Sequence, residues 1–115
     1  MSDILELQKE LIKQNHWLEM KLSEQKSLIE KASQAEHDYR VALASKMIAE
    51  RLTGIPVTII PDLARGDSIV AKLKMERDIA KGVADACKEA IKSIRAVMSG
   101  IQTLLSVKKE EMRLL

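Results

Sequence analysis

The sequence predicts an all-α protein, an elongated helical hairpin joined by a packed elbow and assembling into an oligomeric helical bundle. Three observations carry that expectation. Apolar residues recur at steps of three and four along both halves of the chain, as they do on one face of a helix. The 115 residues are 46% hydrophobic yet include no Phe, one Trp and one Tyr, so the core is aliphatic. Ala, Leu, Met, Lys and Glu favour helix, and strand formers are scarce. Finally, one stretch alone, GIPVTIIPDLARG from Gly54 to Gly66, breaks the helical rhythm.

In the first half, Ile4, Leu7, Leu11, Leu18, Leu22, Ile29, Ala32, Tyr39, Leu43 and Met47 recur on one face. Gln14 and Gln25 stand where the rhythm asks for apolar side chains, and residues 21–27 are polar. Residues 1–33 therefore read as an N-terminal helical arm, either separate from the following helix or continuous with it, and 34–115 as a helical hairpin domain. Ala32, Ala35, Ala42, Ala44 and Ala49 permit close approach of a neighbouring helix. Gly54 is suited to a C-terminal cap, and Pro56 prevents continuation.

The elbow, 54–66, reads as a turn and a short helix. Thr58 is expected to cap it, Pro61 is tolerated where early N–H groups lack partners, and Gly66 ends it. Val57, Ile59, Ile60 and Leu63 are expected to bury against the flanking helices. Asp67 or Ser68 then caps a long helix, 67–115.

That helix carries Ile69, Leu73, Ala80, Val83, Cys87, Ala90, Ile94, Val97, Ile101 and Leu104 as a seam once Glu76 is counted in. A second row, Val70, Ala84, Ile91, Met98, Leu105 and Met112, lies beside it, and the two together are wider than a two-stranded stripe needs. At about 1.5 Å per residue the helix spans roughly 70 Å, more than one such chain covers. Sister chains are the expected companions, in any number from dimer to hexamer. Gly82 and Gly100 each cost about 1 kcal/mol relative to Ala, which points to close helix contacts. Beyond Leu105 the seam positions become Lys108 and Glu111, so the last turns should be less buried.

Charge is nearly balanced, 19 basic against 17 acidic residues, and this alone does not mark a nucleic-acid protein. Its distribution is uneven. Residues 1–53 carry 8 Lys or Arg against 9 Asp or Glu, and residues 67–115 carry 10 against 7. A lone Cys87 excludes an intramolecular disulfide and reads as a small buried hydrophobe. No apolar leader or membrane-spanning run can be drawn, so a soluble intracellular protein without membrane contact is expected.

Catalytic motifs are missing. The chain has no GxxxxGK loop, no CxxC, no HExxH and no paired Glu-x-x-His. His16 and Glu19 are two side chains where a catalytic metal wants at least three protein ligands, and His37 between Glu36 and Asp38 reads as solvated. The serines have no local His partner. Arg65, Gly66 and Asp67 spell an adhesion triplet, but a helix stop and a helix start account for it. A protein without enzymatic activity, cofactor or metal is expected.

Two basic features remain. Arg65, Lys74 and Arg77 cluster near the elbow, and Arg77 falls in the second apolar row, where a guanidinium needs a partner. Glu76, Asp78 or a carboxylate of another helix would make that partner structural. A phosphate or nucleotide held between subunits would make it functional. Lys81, Lys88, Lys92 and Arg95 form a cationic ridge that can face a nucleic-acid backbone.

The elbow and the start of the long helix, GIPVTIIPDLARGD followed by KLKMERDIAKGVADACKEAI, resemble small uncharacterised all-helical proteins of phages and prophages of Gram-positive bacteria. The resemblance covers roughly residues 36–105 and leaves the N-terminal arm outside. It implies a phage protein in the cytoplasm of a bacterial host that works by binding. On this reading the expected function is sequestration of an anionic nucleotide, a host-defence signal, between subunits at Arg65, Lys74 and Arg77. The alternatives are a nucleic-acid accessory protein of replication or recombination, and a helical adaptor or inhibitor whose Ile4 to Leu22 arm engages a host protein.

Overall fold

The computed structural model describes residues 2–115 and is all-α. Among the described residues there are three helices, α1 (Ser2–Leu52), α2 (Ile60–Gly66) and α3 (Ser68–Leu114). The expected fold class holds in this respect. Polar residues 21–27 do not interrupt α1, which runs through them as one helix.

The local chemistry explains where each helix stops. Gly54 sits at φ 83, the left-handed region that glycine enters without a Cβ penalty. Its N–H donates to the Arg51 carbonyl at 3.1 Å, and the Ile55 N–H donates to the Glu50 carbonyl at 3.3 Å, the paired bonds of a Schellman closure. At the start of α2, Ile59 occupies the capping position with no side-chain hydrogen bond. Thr58 is thus not the cap, because the helix begins one residue later than the threonine hydroxyl can serve. Pro61 falls in the first turn as expected. At the start of α3, Asp67 Oδ2 accepts from the N–H groups of Ile69 at 3.1 Å and Val70 at 3.2 Å. Its Oδ1 lies 3.7 Å from Lys46 Nζ on α1. Asp67→Ala should therefore lower unfolding free energy by about 1 kcal/mol, measurable by urea denaturation. An unchanged midpoint would show that solvent satisfies those N–H groups equally well.

The chain divides into two units. One is formed by Met1–Lys26 and Ala86–Leu115. In it α1 and α3 run antiparallel, as shown by Lys108 Nζ lying 3.8 Å from Asp3 Oδ2 and by Cys87 Sγ donating to the Lys21 carbonyl at 3.5 Å. Inward positions on α1 follow an unbroken three-four alternation, Ile4, Leu7, Leu11, Gln14, Leu18, Lys21 and Gln25. They face Cys87, Ile91, Ile94, Met98, Ile101, Leu105 and Lys108. The polar members belong to this row rather than interrupting it. Gln14 is buried, and its Nε2 donates to Glu10 Oε1 at 3.0 Å, so burial does not leave that donor unsatisfied.

The other unit is Ser27–Asp85. Here the same alternation brings Leu28, Ala32, Ala35, Tyr39, Ala42 and Lys46 of α1 inward, with Val70, Leu73, Arg77, Ala80 and Ala84 of α3. Of the elbow, Ile60 and Ala64 are buried and Ile55 is half-buried. Val57, Ile59 and Leu63 remain 66%, 46% and 44% exposed, contrary to the expectation that all four apolar elbow residues bury. A seven-residue helix presents one narrow face to its neighbours, and Ile60 and Ala64, four apart, take it.

The inward row of α3 also corrects the expected seam. Ile69, Val83, Val97 and Leu104 are 46–67% exposed, whereas their successors Val70, Ala84, Met98 and Leu105 turn inward. Val70, Ala84, Ile91, Met98 and Leu105 of the expected second row pack inward, together with Leu73, Ala80, Cys87, Ile94 and Ile101 of the first, whereas Met112, the last member of the second row, is 44% exposed. Apart from the adjoining backbone of the same helix and the two chain neighbours, nothing lies within 4 Å of a Cβ built on Gly82 or Gly100, so neither glycine is explained by a contact within the chain.

Candidate functional site

Of the expected ligand residues, Arg77 is the one the fold holds in place. It occupies an inward position of α3, with its side chain 23% exposed. Its Nε and Nη2 donate to Asp78 Oδ1 at 3.1 and 2.9 Å. The Nε also lies 3.4 Å from Glu36 Oε2, and the guanidinium carbon stands 4.5 Å from the centre of the Tyr39 ring. A guanidinium suits this environment because it stacks flat on an aromatic face while its edge donates to carboxylates. The hydrogen bond to Asp78 raises the Arg77 pKa and keeps the side chain charged.

Glu36 takes a hydrogen bond from Arg40 Nε on its other oxygen. That bond, helped by the charges of Arg40 and Arg77 and opposed by desolvation, lowers its carboxyl below the usual range. A depressed carboxyl contributes stability at pH values above its unfolded pKa of 4.5. That contribution is lost as pH falls through the folded value. Wild type should accordingly lose more stability than Glu36→Gln between pH 5 and strongly acidic conditions, read from urea midpoints at each pH. Parallel pH profiles would show that the Glu36 contacts are not populated in solution.

Arg77 and Glu36 border an open cleft of about 530 Å³ lined by Ala32, Ser33, Glu36, Arg77, Asp78 and Lys81. It holds two cations and two carboxylates, so an anion there must compete with Glu36 and Asp78 for Arg77. The other two expected residues take different surroundings. Arg65 is exposed on α2 with Nη1 3.9 Å from Asp62 Oδ1. Lys74 is exposed on α3. A second cleft of about 360 Å³, mostly apolar, lies between the end of α1 and the elbow, lined by Ala44, Met47, Ile48, Arg51, Val57, Ile60 and Pro61.

The residues of the expected cationic ridge are distributed over both units. Lys81 lines the cleft beside Arg77, and Lys92 Nζ lies 3.5 Å from Glu89 Oε1. Lys88 and Arg95 are exposed. His16 is exposed, and Glu19 accepts a hydrogen bond from Asn15 at 3.2 Å. Among the described residues no group of three or more His, Cys, Asp or Glu is placed to hold a metal ion, and no helix is long and apolar enough to cross a membrane.

Reading the sequence did not single out Glu36 or Tyr39 as partners of Arg77. The signal was present in the spacing. Tyr39 sits in the inward row of α1, Glu36 stands three residues before it on the same flank, and Arg77 interrupts the inward row of α3. Comparisons of the chain with family models, with curated proteins and with solved structures find no match.

Proposed function

We propose that this chain is a binding protein that works by assembly, a homo-oligomeric helical bundle built on the outer face of α3. One observation carries the reading. Ile69, Ile79 and Val83 in one unit, and Val97, Leu104 and Val107 in the other, are large apolar residues 46–67% exposed. They fall on a three-four rhythm, offset by one residue from the inward row, that Lys72 and Glu76 interrupt near the start of the helix. A helix with a second apolar row is suited to a second helical neighbour. Multi-angle light scattering at tens of micromolar tests this, with a mass of two or more chains expected. A single-chain mass throughout that range would overturn it.

A second reading rests on the cleft beside Arg77. Lys81 and the planar Arg77 in its lining are suited to a phosphate-bearing ligand such as a nucleotide. Glu36 and Asp78 are the groups that such a ligand would displace. Calorimetric titration with cyclic and linear nucleotides should give heat that Lys81→Glu removes, and silence with every nucleotide would end this reading.

A further inference from the structure

We infer that the occupant of the outer face in the unit formed by Met1–Lys26 and Ala86–Leu115 is a second copy of this chain, docked α3 against α3 and antiparallel. This rests on the assembly reading above and names its partner and its register. The row concerned is Ala90, Ser93, Val97, Gly100, Leu104 and Val107, in which small and large side chains segregate along the helix. Ala90, Ser93 and Gly100 are the small ones. Val97, Leu104 and Val107 are 46%, 51% and 50% exposed.

An antiparallel copy centred between Met98 and Ser99 brings unlike sizes together at every level. Val97 then meets Gly100 of the second copy, Leu104 meets its Ser93, and Val107 meets its Ala90. Each contact occurs twice by symmetry, as a closed twofold interface requires. A parallel copy would instead set Leu104 on Leu104 and Gly100 on Gly100, alternately crowding and emptying the seam. Gly100 gains a physical reason in this arrangement. Apart from the adjoining backbone of its own helix and its two chain neighbours, nothing lies within 4 Å of the position a Cβ would take, and the missing side chain leaves room for the valine of the neighbour.

Helical spacing sets Trp17 at the edge of the face. Asp3 and Glu10 of α1 line a cleft with Leu104 of α3, so that flank of α1 borders the outer row. Trp17 is seven residues beyond Glu10 on the same flank, Val97 is seven before Leu104, and the helices are antiparallel. The indole is 42% exposed, with Lys13 Nζ 4.8 Å from its centre, and it is the one tryptophan of the chain.

The test is a size-complementation series read by light scattering, by Trp17 emission on dilution and by circular dichroism. Wild type should be dimeric or a multiple of a dimer, with emission shifting to the red as it dissociates. Gly100→Val should keep full helicity yet weaken association by about tenfold or more, since it sets valine against valine at two symmetric levels. Adding Val97→Gly should restore association, because the double variant re-creates one small and one large partner at each level. If Gly100→Val associates as well as wild type, the assembly uses another face, and the inference fails while the assembly reading stands. If Gly100→Val dissociates but the double variant does not recover, or if Gly100→Val loses helicity, the antiparallel register is wrong. If wild type is a single chain at every concentration, both readings fail.

Discussion

Ile91→Ala should lower the unfolding free energy by about 3 kcal/mol, within the range of about 2–5 kcal/mol seen when a buried aliphatic side chain is cut back to alanine. Ile91 is 3% exposed. It stands in the inward row of α3 with Cys87 one turn before it and Ile94 one turn after. Alanine's better helix propensity returns only a few tenths of a kcal/mol. Val41→Ala is the matched control. Val41 is 51% exposed on α1, and its truncation should stay within about 0.5 kcal/mol. Equal losses in the two variants, measured by urea unfolding at one protein concentration, would place Ile91 outside the core.

The second large effect should come from Tyr39→Ala, at about 3 kcal/mol. Tyr39 is 7% exposed and is the one aromatic residue in the buried set of Ser27–Asp85. Its ring fills the inward row of α1 and forms the surface on which the Arg77 guanidinium rests. Tyr39→Phe separates these roles from that of the hydroxyl. The phenylalanine ring fills the same space and offers the same face, so that variant should lie within about 1 kcal/mol of wild type. A loss in Tyr39→Phe as large as in Tyr39→Ala would mean that the hydroxyl, and not the ring, carries the contribution.

The three-helix architecture was legible because its signals are local. Apolar spacing, Gly54 followed by Pro56, and Asp67 ahead of a long apolar run each act within a few residues, and the caps at Gly54 and Asp67 form where the residue types place them. Which row of α3 turns inward was not legible in the same way. Ile69 and Val70, Val97 and Met98, Leu104 and Leu105 are adjacent apolar pairs, and burying either member of a pair releases similar free energy. The choice depends on what α1 presents across the gap. That helix places Gln14, Lys21 and Gln25 in its inward row, residues whose polarity hides the continuity of the three-four count. The environment of Arg77 was half legible. Its need for a partner follows from an inward position, and Asp78 is its neighbour in sequence, whereas Glu36 and Tyr39 are supplied from a helix about forty positions earlier by the antiparallel fold.

The contact between Cys87 and the Lys21 carbonyl turns the one thiol of the chain into a clock. A cysteine that is 5% exposed, with its sulfur 3.5 Å from a backbone oxygen of the opposite helix, reacts with an alkylating reagent only while the two helices are apart. Its labelling rate in the unmodified protein, divided by that of a free cysteine peptide, is the fraction of time that the α1–α3 pairing stands open there.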